Sequence, residues 1–297
     1  MRGRDKARLA ATRFVRDARS RPQLPVNRVL CRRHAQTLTI QRDCLVEKFR
    51  FPVNDPILRS RRPKSAGGFG ALIAARKACR ICIERSPGKI WSCAEFDFDP
   101  DVVSHWEQWL GHRNPKLLVV GQDFGNVGYF VRCRGRDEPN NKTNENLYRL
   151  LTAAGIAVAH PSQRDSCAPV FLTDSILCVK EGAMNAPIRS SWVDACSEQH
   201  LRPLIAFLRP PVVVGMGNSG WRAVRRVFGM RNAPPQISRA AGFDWLAGDD
   251  TRVFAVGHCG PLGVINRPWP LQLADWRRIG AAVSVCAAAG APLPSGE

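Results

Sequence analysis

Two aspartates and a histidine sit where apolar runs give way to polar residues, and they are the groups of this chain best placed to do chemistry. Asp123 follows four apolar residues in KLLVVGQDFG, Asp174 lies within VFLTDSIL, and His258 follows RVFAVG in GHCGPLG. A carboxylate beside a reacting centre can position a water or offset positive charge. An imidazole can donate a hydrogen bond to negative charge forming on a leaving group. Taken singly, each has an ordinary alternative: a loop cap for either aspartate, a satisfied structural histidine for His258. A further apolar run, PVVVG, leads to Gly217, Asn218 and Ser219. Polar residues at the ends of several buried strands are how an open α/β sheet builds a ligand crevice.

The elements that must position these groups follow from the same pattern. Apolar runs over 117–121, 170–177, 211–215 and 252–257 predict buried strands. Between them lie helical stretches. One leads through 71–84 to Cys79 and Cys82, and a second covers 101–112 with Trp106, Trp109 and Leu110 on its apolar side. A third is capped by Thr143 and stopped at Gly155, and a long amphipathic helix over 191–208 is closed by Pro210. Further helices cover 218–228 and the stretch from about Pro270 onward, whereas 125–142, rich in Gly, Asn and Arg, reads as a loop. Strands separated by helices predict a parallel sheet covered on both faces.

The chain has 297 residues and a net charge of +19 that is unevenly spread. Residues 1–64 carry 18 Lys and Arg against 5 Asp and Glu, which leaves a mildly basic remainder. This divides the chain into a basic arm and linker over 1–70 and a folded domain over 71–290. Such an arm suits a polyanionic partner, since each phosphate it neutralises releases counterions; a solvated tail is the alternative. No signal-peptide pattern and no bilayer-length apolar run is visible, so the expected compartment is a reducing cytoplasm with no membrane partner. There the 11 cysteines read as metal ligands or core residues, not disulfides.

In order and spacing the motifs resemble those of the uracil-DNA glycosylase superfamily. GQDFG resembles its first motif, GQDPY in one branch. FLTDSILC resembles the strand that usually reads LTN and supplies a base-reading Asn, and HCGPL resembles the closing HPSPL motif with its catalytic His. The likeness runs over about residues 76–280 and includes TNENLYRLL, the GMGNSG turn and NRPWPLQLADW. It implies an α/β/α fold in three layers with a four-stranded parallel sheet. It also implies an enzyme that hydrolyses the N-glycosidic bond of a flipped-out uracil or related damaged base in DNA, as base-excision repair requires, and a monomer is the expected state. Asp123 then matches the residue supporting the water and the cationic sugar, and His258 the donor to the departing base. Gln122, Phe124, Tyr129, Phe130 and Asp174 become candidates for contact with the base. Gly217, Asn218, Ser219, Gly260, Pro261 and Arg267 become candidates for contact with DNA. A non-catalytic nucleic-acid-binding module on the same fold is the alternative, and retention of both Asp123 and His258 weighs against it.

Phe124 stands where proline is usual, Cys259 and Gly260 replace Pro-Ser, and Asp174 replaces the usual Asn. An amide both donates and accepts, whereas an ionised carboxylate only accepts, so Asp174 implies an altered base preference. One branch of the superfamily holds a four-iron cluster on a CxxC pair and two later cysteines. Cys79, Cys82, Cys178 and Cys196 are similarly placed, which implies a 4Fe-4S cluster, with structural zinc or no metal as alternatives and Cys93 as a rival ligand. Cys31, Cys44, Cys133, Cys167, Cys259 and Cys286 read as incidental or core.

Overall fold

A computed structural model describes residues 68–99, 103, 113–138, 140–163, 169–248 and 251–289. The basic arm up to residue 67, the helix expected over 101–112 apart from Val103, and Cys31, Cys44 and Cys167 lie outside the described residues.

The sheet is built on β2 (Leu117–Asp123) and β3 (Val170–Ile176), followed by β5 (Val212–Met216), β6 (Asp244–Ala247) and β7 (Thr251–Val256). The strand order is β3-β2-β5-β7-β6, with β3, β2, β5 and β7 parallel and β6 antiparallel to β7. The sheet therefore has five strands and not the four expected from sequence. The added strand is a short edge element whose Asp244, Trp245 and Leu246 all keep solvent exposure, so it lacks the unbroken apolar signature of its neighbours.

Alternation along each strand divides the core. Leu118, Val120, Phe171, Val213 and Val253 point to one face, and Leu117, Val119, Val170, Leu172, Val212 and Val214 to the other. The first face is covered by α1 (Gly68–Ala78), α7 (Gly217–Val227) and a continuous helical stretch. That stretch runs through α5 (Ser190–Cys196), a π-helical turn (Ser197–Leu201) and α6 (Arg202–Leu208). The second face is covered by α4 (Lys142–Ala153) and α10 (Trp269–Ala289). Each fully buried Val, Leu or Ile contributes on the order of 1.5–3 kcal/mol. Burial on both faces explains why these strands read as unbroken apolar runs.

Several local expectations are corrected. The first helical stretch breaks at Cys79 and resumes as α2 (Ile81–Arg85). The segment expected to be loop contains α3 (Val127–Arg132), whose first turn is capped by the Asn126 side chain accepting from the Tyr129 N–H at 2.8 Å. The cap of α4 is Asn141, which accepts from the Asn144 N–H at 2.9 Å, and Thr143 lies inside the first turn. The helical stretch expected over 191–208 does end at Leu208, two residues before Pro210 and with Arg209 in the left-handed region at φ 49°, but it is interrupted by the π-helical turn. Beyond β3 the chain makes a second, two-stranded sheet in which β4 (Val179–Lys180) pairs antiparallel with β1 (Ile90–Trp91). Two short helices, α8 (Ile237–Ala240) and α9 (Pro261–Asn266), and a 3-10 turn over Cys93–Glu95 complete the described elements. No helix among the described residues is long and apolar enough to cross a membrane.

Candidate active site

β2 has β3 on one side and β5 on the other, so the order of connection reverses between β2 and β5. In open parallel sheets that reversal opens a crevice at the carboxyl ends of the strands. A pocket of about 290 Å³ lies there, and its walls include Gln122, Asp123, Phe124, Tyr129, Asp174 and His258. It adjoins a larger cleft of about 710 Å³, lined in part by Gly217, Asn218, Ser219, Gly260, Pro261 and Arg267, with Gln122 and His258 on both walls. Of the residues expected from sequence to face base or DNA, only Phe130 is elsewhere. It is buried in the core against Phe96 and Phe98, because α3 turns it to the side away from Tyr129.

Asp123 is the last residue of β2 and is almost fully buried. Its Oδ1 accepts the Gly125 N–H at 3.0 Å, and its Oδ2 pairs with Lys180 Nζ at 2.7 Å. Gly125 takes φ +85°, and a Cβ there would meet the Tyr129 ring at 3.2 Å, so the final glycine of GQDFG answers both a backbone and a packing requirement. Lys180 was not anticipated. It lies in β4, two residues past Cys178, beyond the apolar run by which the strand was recognised. The signal available was the buried Asp123 itself, because a buried carboxylate calls for a cation or several donors.

His258 follows β7, and the Gly260 N–H donates to its Nδ1 at 3.0 Å. That bond leaves the ring proton on Nε2 in the neutral form. Burial lowers the His258 pKa from its ordinary 6.5, and the negative charge of Asp123 raises it in part. The turn is held tightly. Gln272 Nε2 donates to the His258 carbonyl at 3.3 Å, and a Cβ on Gly263 would lie 1.8 Å from that oxygen. Cys259 is a buried core thiol, pushed up to about 12 by desolvation, and its carbonyl accepts from Asn146 Nδ2 at 2.7 Å.

The remaining walls are fixed by side-chain networks. Asp174 is 2% exposed and lies opposite Gly121 in the β2–β3 register, while the neighbouring Ser175 hydroxyl donates to the Gln122 carbonyl at 2.6 Å. The Tyr129 hydroxyl donates to Asp137 Oδ1, and Asn141 and Asn144 donate to the same carboxylate at 2.7 Å each. Burial first, then the Asp137 charge, raises the Tyr129 pKa, so its hydroxyl stays neutral. In the adjoining cleft, Asn218 accepts from the Ile237 N–H at 3.1 Å, and Arg267 is held by Asp275 through two bonds of 2.5 and 2.7 Å.

Away from this pocket, Cys79, Cys82, Cys178 and Cys196 line one cavity between α1, α2, the end of β3 and α5. Burial and the neighbouring cysteines push Cys82 up to about 11 and Cys178 to about 12, and Cys196 is raised as well. Cys196 Sγ accepts the Leu177 N–H at 3.4 Å. Cys93 is set apart from this lining, buried, and donates to the Leu177 carbonyl at 3.8 Å. Buried thiols such as Cys82 and Cys196 become thiolates only with a cation beside them. Among the described residues, no group of three or more His, Cys, Asp or Glu is arranged to hold a metal ion. A polynuclear cluster spreads its sulfurs more widely than one tetrahedral ion with Zn–S of about 2.3 Å does.

The sequence model of the Uracil DNA glycosylase superfamily matches residues 109–274, more than half of the chain. The chain is also similar to a Type-5 uracil-DNA glycosylase from Pyrobaculum aerophilum. The two are 27% identical over 172 residues, which covers 54% of this chain and 70% of the relative.

Proposed function

The chain belongs to the uracil DNA glycosylase superfamily, and we propose that it hydrolyses the N-glycosidic bond of a damaged base flipped out of DNA. The observation that carries this reading is a single pocket walled by the Asp123 carboxylate and an imidazole, His258, whose Nδ1 is already occupied. A flipped base enters the pocket at a cost of a few kcal/mol for unstacking, least for a mispaired base. As the bond from C1′ to the base nitrogen breaks, its electron pair leaves with the base and the sugar gains oxocarbenium character. Asp123 offsets that positive charge and holds the water that bonds to C1′. His258 donates its Nε2–H hydrogen bond to the base oxygen on which negative charge collects. The water's proton passes to the departing base or to solvent, leaving an abasic site and a free base. Fixed charges and donors inside a water-poor pocket act far more strongly than in bulk water.

Asp174 replaces an amide with a group that accepts, which favours base edges presenting N–H donors over the mixed edge of uracil. Gln122, Phe124 and Tyr129 are the remaining base-facing groups, and the adjoining cleft takes the DNA strand. Cys79, Cys82, Cys178 and Cys196, which line one cavity, are the residues that would hold a 4Fe-4S cluster. When bound, it would act as a structural cross-link between α1, α2 and the β3–α5 region.

The test is a panel of duplex and single-stranded oligonucleotides, each with a different base lesion. Asp123→Asn and His258→Ala are each expected to lower excision about 10²–10³-fold. Asp174→Asn is expected to move preference towards uracil. Binding without abasic-site formation by the wild type would instead favour a non-catalytic DNA-binding module. Uracil excision unchanged in Asp174→Asn would remove Asp174 from base selection.

A further inference from the structure

The geometry points to Lys180 as the positioning residue of this site, acting on the reaction through Asp123; the inference rests on the glycosylase reading. Lys180 is 3% exposed at its side chain and Asp123 7%, and their charged atoms are 2.7 Å apart. Lys180 is not among the residues lining the pocket, so it stands behind the carboxylate and does not face the base. Its backbone is held between the second sheet and the loop that follows β2. β4 pairs with β1, the Lys180 N–H donates to the Gly125 carbonyl at 3.2 Å, and the adjacent Glu181 N–H donates to Lys89 at 3.0 Å.

With the Gly125 N–H on one carboxylate oxygen and Lys180 on the other, Asp123 cannot rotate away from the crevice without breaking both bonds. Such an arrangement does two things for a reaction that develops positive charge on a sugar. It keeps a buried carboxylate paired and aimed before the substrate arrives, so little reorganisation remains when the bond breaks. It also leaves the outer lone pairs of the carboxylate as the ones available to a water. Positioning errors of about 1 Å at such a group cost on the order of 10²-fold in rate.

The experiment measures single-turnover excision on the best lesion substrate for the wild type, Lys180→Met, Lys180→Arg, Asp123→Asn and the double variant Asp123→Asn/Lys180→Met. Lys180→Met is expected to lower kcat about 10²-fold with KM changed less than about threefold. Lys180→Arg keeps the charge and is expected to regain at least about tenfold of that loss. In the Asp123→Asn background, Lys180→Met is expected to add less than about twofold, because its effect runs through the carboxylate. Matching visible absorption spectra across the variants separate an effect at Lys180 from disturbance of Cys178, two residues away. If Lys180→Met alone fails to fold, Lys180→Gln takes its place, since its amide still donates to the buried carboxylate: a loss of kcat at unchanged KM supports the role and a wild-type rate overturns it. Wild-type rates in Lys180→Met, or losses that multiply in the double variant, overturn the proposal while leaving the glycosylase reading intact. A wild type that excises nothing sinks that reading and this role with it.

Discussion

His258 shows how one backbone bond selects a chemical role. The Gly260 N–H on Nδ1 at 3.0 Å is compatible with the neutral ring and opposed to the imidazolium, which carries protons on both nitrogens. Burial acts in the same direction by lowering the pKa from 6.5, while Asp123 opposes it. A depressed pKa means that the neutral, donating form persists below the pH at which an ordinary histidine is half protonated. The acidic limb of kcat/KM for excision is therefore expected below pH 6.5. In Asp123→Asn the charge that raises the value is gone, so the His258 ring, followed by NMR, is expected to titrate at lower pH still. An acidic limb above 6.5, or an upward movement in Asp123→Asn, would contradict this account.

At the scale of elements, the crevice depends on how closely α7 lies across β2. A Cβ on Gly220 would fall 2.1 Å from the Val120 carbonyl oxygen, a backbone atom that cannot swing aside. Gly220→Ala is expected to destabilise the protein by about 1–3 kcal/mol and lower its Tm. Because α7 begins at Gly217 on the wall of the cleft, DNA binding should weaken as well. Gly128 in α3 has open space around the same position, so Gly128→Ala is expected to be neutral or stabilising by up to about 1 kcal/mol. Equal Tm values for the two variants would mean that the α7–β2 approach is slack. The same packing explains what could be read from sequence. β2, β3, β5 and β7 are buried on both faces and announce themselves as apolar runs, and the residues at their ends converge as the topology of parallel sheets requires. β6 is short and half-exposed, and α3 starts on an Asn cap in a Gly-rich stretch, so neither has a strong local pattern. The pairing of Lys180 with Asp123 is a product of tertiary proximity. Lys180 is 57 residues from Asp123 along the chain, and no local spacing rule reaches that far.

At the scale of the whole molecule, the cysteine set and the basic arm bear on function differently. The cysteine cavity joins the N-terminal helices to the end of β3, and Cys178 is two residues from the lysine that holds Asp123. Loss of a bound cluster is therefore expected to lower Tm and excision together, with the visible absorption falling in step. The arm is expected to act through its charge. Residues 1–64 hold 18 of the 44 Lys and Arg residues and only 5 acidic ones. Each phosphate contact contributes about 0.9 to the slope of log K against log[salt] on duplex DNA. A version lacking residues 1–64 is expected to bind an undamaged duplex more weakly, with a shallower salt slope. The single-turnover rate at saturating substrate should hold, because Asp123, Lys180 and His258 all lie in the remaining chain. The fall in slope divided by 0.9 then counts the phosphates that the arm engages. An unchanged slope would assign DNA affinity to the cleft and leave the arm without a part in binding.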